Sequence, residues 1–164
     1  PDNVGTRIVN QLDDDDSLLR AITVKRSVSI VDVVSTRMLG SYGFLSKVFG
    51  VLKELKMSVD MVATSEVSLS FTLDDEENLS GMVEELNKIA TVEIKKSNSI
   101  ISLIGNVKRS SEIMLKAFEI MNELNINVKM ISQGASKVNI SFIIDDEFAD
   151  NCIKKLHNKF FEEV

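Results

Sequence analysis

The chain has few of the residues that build disulfides, metal centres and nucleophilic catalytic systems. A single cysteine, Cys152, cannot close an internal bridge, and with His157 as the only histidine no histidine/cysteine zinc site can be assembled. A reducing, cytoplasmic setting fits this cysteine usage best. Aromatic residues make up only 5% and the net charge is −6. This excludes nucleic acid as a partner, because phosphate binding needs a basic surface and single-strand binding needs stacking rings. Charges interrupt every apolar run well short of the ~18–20 residues a membrane span requires, and no basic segment leads into an apolar stretch at the front. No membrane partner and no signal peptide is therefore expected. Neither a Gly-x-Gly-x-x-Gly nor a phosphate-loop pattern occurs. A serine or cysteine triad would have to recruit His157, which sits among Lys154, Lys155 and Lys159 and reads as an exposed helix position, while Cys152 shares an apolar stripe with Ile153 and Leu156 and reads as core. The Asp13–Asp16 run reads as solvated and self-repelling rather than metal-binding.

What is present is the composition of a folded domain: 164 residues, 44% hydrophobic and 27% charged. That length allows one domain or two modules of about 70–80 residues. Self-comparison favours two. At an offset of 69, Phe49, Glu54, Leu55, Val59 and Met61 fall on Phe118, Glu123, Leu124, Val128 and Met130; at 71, Val67, Ser70, Phe71, Asp74 and Asp75 fall on Val138, Ser141, Phe142, Asp145 and Asp146. A tandem duplication accounts for this, with copies at roughly 27–96 and 97–164.

Each copy reads as β-α-β-β-α-β. In the first, Val28–Val34 is a β-branched strand, Gly40–Gly43 a turn, and Phe44–Leu55 a helix with Leu45, Val48, Phe49, Leu52 and Leu55 on one face. Val59–Thr64 and Val67–Leu73 are strands, the second strictly alternating. The acidic stretch Asp74–Glu77 suits the N-terminus of a second helix, with Leu79, Met82, Val83, Leu86 and Ile89 as its stripe, before a last strand Thr91–Ile94. The second copy gives strand Ile100–Ile104, helix Glu112–Leu124, strands Val128–Ser132 and Val138–Ile144, and helix Glu147–Phe160, and ends one strand short. The spare β-like segment Ala21–Arg26 is expected to complete its sheet, so that the first module is nested within the second. The expected fold class is α+β: two ferredoxin-like modules, each a four-stranded antiparallel sheet with two helices on one face.

One segment has the makings of a ligand site. Glycines ahead of the helix at Phe44 allow an anion close to free backbone N–H groups, and Ser41–Tyr42–Gly43 would hold a carboxylate. Downstream, Asp60 and Glu66 offer charges for an ammonium, and Ser58, Thr64 and Ser65 offer hydroxyls. Carboxylate at one end and ammonium at the other describe an amino acid; the plainer alternative is a turn beside a surface charge. The second copy lacks the glycine pair in Asn106–Ser111 and has Lys129 in place of Asp60, so the site is expected in the first copy only.

Three stretches, Ser35–Leu45, Ser58–Ser68 and Ser132–Phe142, closely resemble the tandem ACT-domain regulatory region of aspartate kinases, the lysine-sensitive class especially. The similarity runs over about residues 20–161, and Pro1–Thr6 is similar to the tail that closes that family's kinase domain, with Val4 where proline is more usual. The resemblance implies residues 1–20 as linker from an absent kinase domain, 27–96 as the effector-binding ACT module, and 21–26 plus 97–164 as the second. It implies binding of an end-product amino acid, L-lysine above all, between first modules of a homodimer. The pocket would fall on Met38, Ser41, Gly43, Phe44, Leu45, Val59, Asp60, Thr64, Ser65 and Glu66. Binding would inhibit the chain's own kinase domain, which would use ATP and Mg; this region itself would have no catalytic residues, cofactor or metal. The alternatives are a threonine-sensing region and a ligand-free assembly module. Val164 reads as a natural end.

Overall fold

The computed structural model describes residues 18–35, 42–74, 78–105, 109–134 and 139–162. The elements in chain order are β1 (Leu19–Val34), α1 (Phe44–Glu54), β2 (Val59–Thr64), β3 (Ser68–Leu73), α2 (Leu79–Asn87), β4 (Thr91–Gly105), α3 (Ser110–Glu123), β5 (Met130–Gln133), β6 (Asn139–Asp145) and α4 (Ala149–His157). A 3-10 turn, Asp146–Phe148, leads into α4 and a π-helical turn, Asn158–Glu162, follows it. All pairings are antiparallel, in one sheet of order β2-β3-β1-β4-β6-β5. The fold is α+β, as the sequence pattern implies. Among the described residues no helix is long and apolar enough to cross a membrane.

The two central strands serve both halves of the molecule. The segments expected as separate strands, Ala21–Arg26 and Val28–Val34, are one strand of 16 residues, and Thr91–Ile94 and Ile100–Ile104 are parts of one strand of 15. Val28–Val34 pairs with Asn98–Thr91, and Leu19–Lys25 pairs with Gly105–Ile100. The register between the strands shifts on either side of Val28. Ser27 and Ser97, with φ of 56° and 60°, sit at these shifts in the left-handed region. Each ends a similar stretch, Lys25–Arg26–Ser27 in β1 and Lys95–Lys96–Ser97 in β4.

A bulge adds a residue and so exchanges which alternate positions face which side. Before Ser27 the even-numbered Ile22 packs with the second-copy helices, whereas after it the odd-numbered Val31 and Val33 pack with the first-copy helices. In β4 the even Val92 and Ile94 give way past Ser97 to the odd Ile101 and Leu103. Each copy thereby gets its own core, centred on the equivalent Phe71 and Phe142, both fully buried. A third cluster, Val28, Ile30, Met61, Ile100, Met130 and Ile143, contains no helix residue. It draws together the equivalent Met61 and Met130 from the two terminal strands β2 and β5, which touch each other.

Two details differ from the sequence pattern. The buried line of α1 is Phe44, Val48 and Leu52, while Leu45 and Phe49 stay over a third exposed, because the apolar arc of this helix is wider than one face and its period alone does not choose. The helix α2 begins at Leu79, with Asn78 left-handed before it and no acid in its first turn. Residues 75–77 lie outside the described set, and Asp74 is turned to Lys25 instead.

Asn98 ties the junction together. Fully buried, it donates to the carbonyls of Lys95 (2.7 Å) and Val28 (3.3 Å) and accepts from Lys129 Nζ (2.8 Å). Replacing it, Asn98→Leu, leaves buried polar groups unpaired, which costs about 1–3 kcal/mol. A urea titration is expected to show a lower midpoint at unchanged slope, and an unchanged midpoint would show that the junction does not depend on this side chain.

Candidate functional site

The residues named from the sequence fall in three places on the first copy. Met38 and Ser41 lie outside the described residues. Gly43 immediately precedes α1 with φ of +80°, a conformation that favours glycine, and its carbonyl accepts from Lys47 N (3.1 Å). Among the described residues no side chain caps α1 and no acid occupies its first turn, and its leading amides form the positive end of the helix. Phe44 is core, and Leu45 lies exposed on the flank.

Val59 and Asp60 open β2 at another bulge. Val59 pairs with Leu73, the next registered pair is Val62 with Phe71, and the amide of Met61 donates to Thr72 Oγ1 (3.0 Å) across the gap. The bulge sends Val59 towards the helix-side core and Met61 to the other cluster. Asp60 meets Lys25: Nζ lies 2.6 Å from Oδ2, and the same ammonium also pairs with Asp74. Those hydrogen bonds, Asp60 first and Asp74 second, raise Lys25 above its ordinary pKa of 10.5.

The third place is the β2–β3 turn. The Ser65 hydroxyl faces that of Ser68 at 2.6 Å and accepts from Ser68 N (3.1 Å) and Val67 N (3.4 Å), while Ser65 N donates to the Ser68 carbonyl (2.8 Å). This hydroxyl is engaged in the turn. Thr64 and Glu66 are exposed beside it. Ser35 N donates to the Val67 carbonyl (2.9 Å), which puts the turn at the end of β1 from which the chain goes on to α1.

Asp60 and Glu66 are therefore not brought together within one chain. At a strand rise of ~3.3 Å per residue, Asp60 and Thr64 stand about 13 Å apart along β2. The carboxylate end of the expected site and the hydroxyl-bearing turn share one end of the sheet, and Asp60 lies toward the junction.

The second copy handles the equivalent position internally. Lys129, which aligns with Asp60, pairs with Asp145 and Asn98. In the first copy, Asp74, the equivalent of Asp145, has no lysine on β2 to meet, and the ammonium comes from β1. Sequence reading passed over Lys25 because its segment was assigned only to complete a sheet; the repeated Lys-x-Ser at an offset of 70 from Lys95–Ser97 was the available signal. His157 is exposed, near Glu162 (3.4 Å) and the Phe161 ring. Cys152 is fully buried in the second core. No group of three or more potential metal ligands occurs among the described residues.

The model of the ACT domain family matches residues 31–82 and 101–160. Aspartokinase 3, chloroplastic, of Arabidopsis thaliana is 52% identical over 99% of the chain, which covers 31% of that relative. The chain thus spans about a third of the length of the curated relatives it matches. Among solved structures, Escherichia coli aspartokinase III in complex with lysine and aspartate is similar at a TM-score of 0.79 and 31% identity, over 92% of this chain and 35% of that one. A putative C-terminal regulatory domain of aspartate kinase from Porphyromonas gingivalis W83 is similar at a TM-score of 0.75 and 31% identity, over 86% of this chain and 96% of that one.

Burial pushes the Cys152 thiol up to about 11. At pH 8 it is expected to resist a thiol-reactive disulfide reagent in the native chain and to react once per chain in urea; fast native reaction would contradict its burial. The raised Lys25 contributes stability that is fully present below pH 10.5 and is lost as pH rises through its folded pKa. The gap in thermal midpoint between the wild type and Lys25→Met should therefore close above pH 10.5, and a gap constant with pH would show that the ion pairs contribute nothing.

Proposed function

The chain belongs to the ACT-domain family, among the regulatory regions of aspartate kinases, and from that premise we propose that it senses an end-product amino acid, L-lysine first, at a pocket shared between two copies. The single observation that carries the two-copy form is the separation of Asp60 from the Thr64–Glu66 turn along β2. One chain does not bring them together, but two do. On its outer side β2 has no hydrogen-bonded strand among the described residues, and Val62 at its middle is exposed. An antiparallel pairing of two β2 strands about a two-fold axis at Val62 sets Asp60 opposite Thr64 of the partner subunit, because the two numbers lie symmetrically about 62.

In that arrangement the α1 N-terminus and the β2–β3 turn of one subunit stand beside Asp60 of the other. The amides at Gly43, Phe44 and Leu45, with Met38 and Ser41 from the preceding segment, hold the carboxylate. Asp60 holds an ammonium, and Val59, Thr64, Ser65 and Glu66 complete the walls. The lysine-bound state of the similar Escherichia coli enzyme supports lysine as the ligand. The first module comprises 27–96 and the second 21–26 plus 97–164, with 1–20 as a linker. The kinase part, acting on aspartate with ATP and Mg, would lie outside this stretch, and the effector would inhibit it by binding one quaternary arrangement better than another.

Calorimetric titration with L-lysine is expected to give saturable heat, with L-threonine as the weaker control, and Asp60→Asn should abolish the lysine response while leaving the far-UV spectrum unchanged. Placing a charge in the paired edge, Val62→Lys, should convert dimer to monomer in light scattering and remove lysine binding with it. A folded dimer that ignores both amino acids would leave the assembly module as the reading; a preference for threonine would reassign the effector.

A further inference from the structure

The ammonium position of the proposed pocket is already filled from within the chain. Lys25 Nζ sits 2.6 Å from Asp60 Oδ2 and also pairs with Asp74, so one cation bridges the carboxylate that the pocket needs and a second one. An effector ammonium arriving at Asp60 therefore meets a protein ammonium already there. We propose that Lys25 is a tethered competitor that sets the affinity of the pocket: in the empty state it holds Asp60, and on binding it yields Asp60 to the effector and stays with Asp74. This inference rests on the reading that Asp60 receives the effector ammonium.

Three features favour exchange over a permanent lock. First, the side chains are far from sealed, with Lys25 at 43%, Asp60 at 36% and Asp74 at 53% exposure, so the pair is reachable and its net worth is small. Second, Asp74 provides a place for the displaced ammonium within its present reach, so leaving Asp60 does not strand a charge. Third, the second copy meets the same requirement with Lys129, carried on the segment that leads into β5 and bound to Asp145 and to buried Asn98. There the cation belongs to its own copy and is a fixture. In the first copy it comes from the stretch of β1 paired with Ile100–Gly105, across the junction from the carboxylates. Removing Lys25 from Asp60 thus cuts a tie between the two halves of the sheet, which gives the ligand a mechanical consequence beyond the pocket.

The test is L-lysine affinity by calorimetry across four single variants of the chain. Lys25→Met removes the competitor and should tighten binding roughly two- to fivefold, the range a single exposed ion pair supports. Lys25→Arg keeps a cation and should bind no tighter than wild type. Asp74→Asn leaves Lys25 with Asp60 alone and should weaken binding by a similar factor. Unchanged or weaker binding by Lys25→Met would overturn the proposal. Asp60→Asn separates this from the underlying site: if that variant binds lysine as well as wild type does, the ammonium is not on Asp60 and the site reading itself falls. To guard against a variant that fails to fold, the Lys25 side-chain nitrogen resonance of the wild type is followed during the same titration. It should shift and broaden towards a solvent-exchanging ammonium on saturation, and a resonance unmoved by saturating lysine would equally overturn the proposal.

Discussion

The pairing of β1 with β4 is the constraint on which everything else depends. Two strands of 16 and 15 residues run through both halves of the molecule, and each must bury one set of side chains under the first pair of helices and another under the second. A regular strand cannot do this freely, because strict alternation fixes every position relative to the first. At the junction of the two halves the left-handed residues Ser27 and Ser97 break the alternation in each strand, and Asn98 satisfies the carbonyls that the break would leave unpaired. The sheet then curls enough for β2 and β5, terminal in the order, to meet over Met61 and Met130.

That curl decides where charge accumulates. Lys25, before the break in β1, and Lys95, before the break in β4, are equivalent by the repeat, and each finds acids on the first copy: Asp60 and Asp74 for the former, Asp32 and Glu93 for the latter. Asp32 shows the balance at work. Burial pushes its carboxyl up, but hydrogen bonds from Lys95 and Ser70 and the Lys95 charge outweigh this and hold it below its ordinary 3.8. Its contribution is thus present above pH 3.8 and lost as pH falls through its lowered folded value. The first copy carries the acids and borrows its cations from strands shared with the second, which makes the electrostatics of a proposed effector site a property of the junction.

Much of this was legible because the pattern was duplicated. Val59–Thr64 coincides with β2, and Phe71 and Phe142, matched by the repeat, are the centres of their cores. The lysines around His157 and the apolar stripe around Cys152 placed the first at the surface and the second inside, where they are. What escaped was set by tertiary choice. The apolar arc of α1 spans more than one face, so period analysis named Leu45 and Phe49 where packing selected Phe44, Val48 and Leu52. Asp74 read as a helix-opening acid because the dipole rewards negative charge there, yet a direct ammonium partner prevails over a partial charge. The β2 bulge, which sends Val59 and Met61 to different clusters, left no mark in the strictly local pattern. Asp60 and Glu66 read as parts of one site because their residue types suit an ammonium, although an extended β2 holds them at different ends.

The same geometry bears on why a small ligand at this position would matter to anything distant. A ligand shifts an equilibrium only by its differential affinity for two arrangements. A pocket wholly within one rigid copy would bind equally in both and shift nothing. Here Asp60, which would meet the ligand, belongs to β2, an outer strand, while the cation that fills its place belongs to β1, which pairs with β4 on both sides of the junction. On the proposed reading, occupancy at Asp60 would therefore be coupled to how the shared strands sit relative to the first copy's outer edge. On the proposed reading, backbone pairing would carry a displacement there, since β4 is one strand that runs from the first copy's core, through the break at Ser97, into the second's.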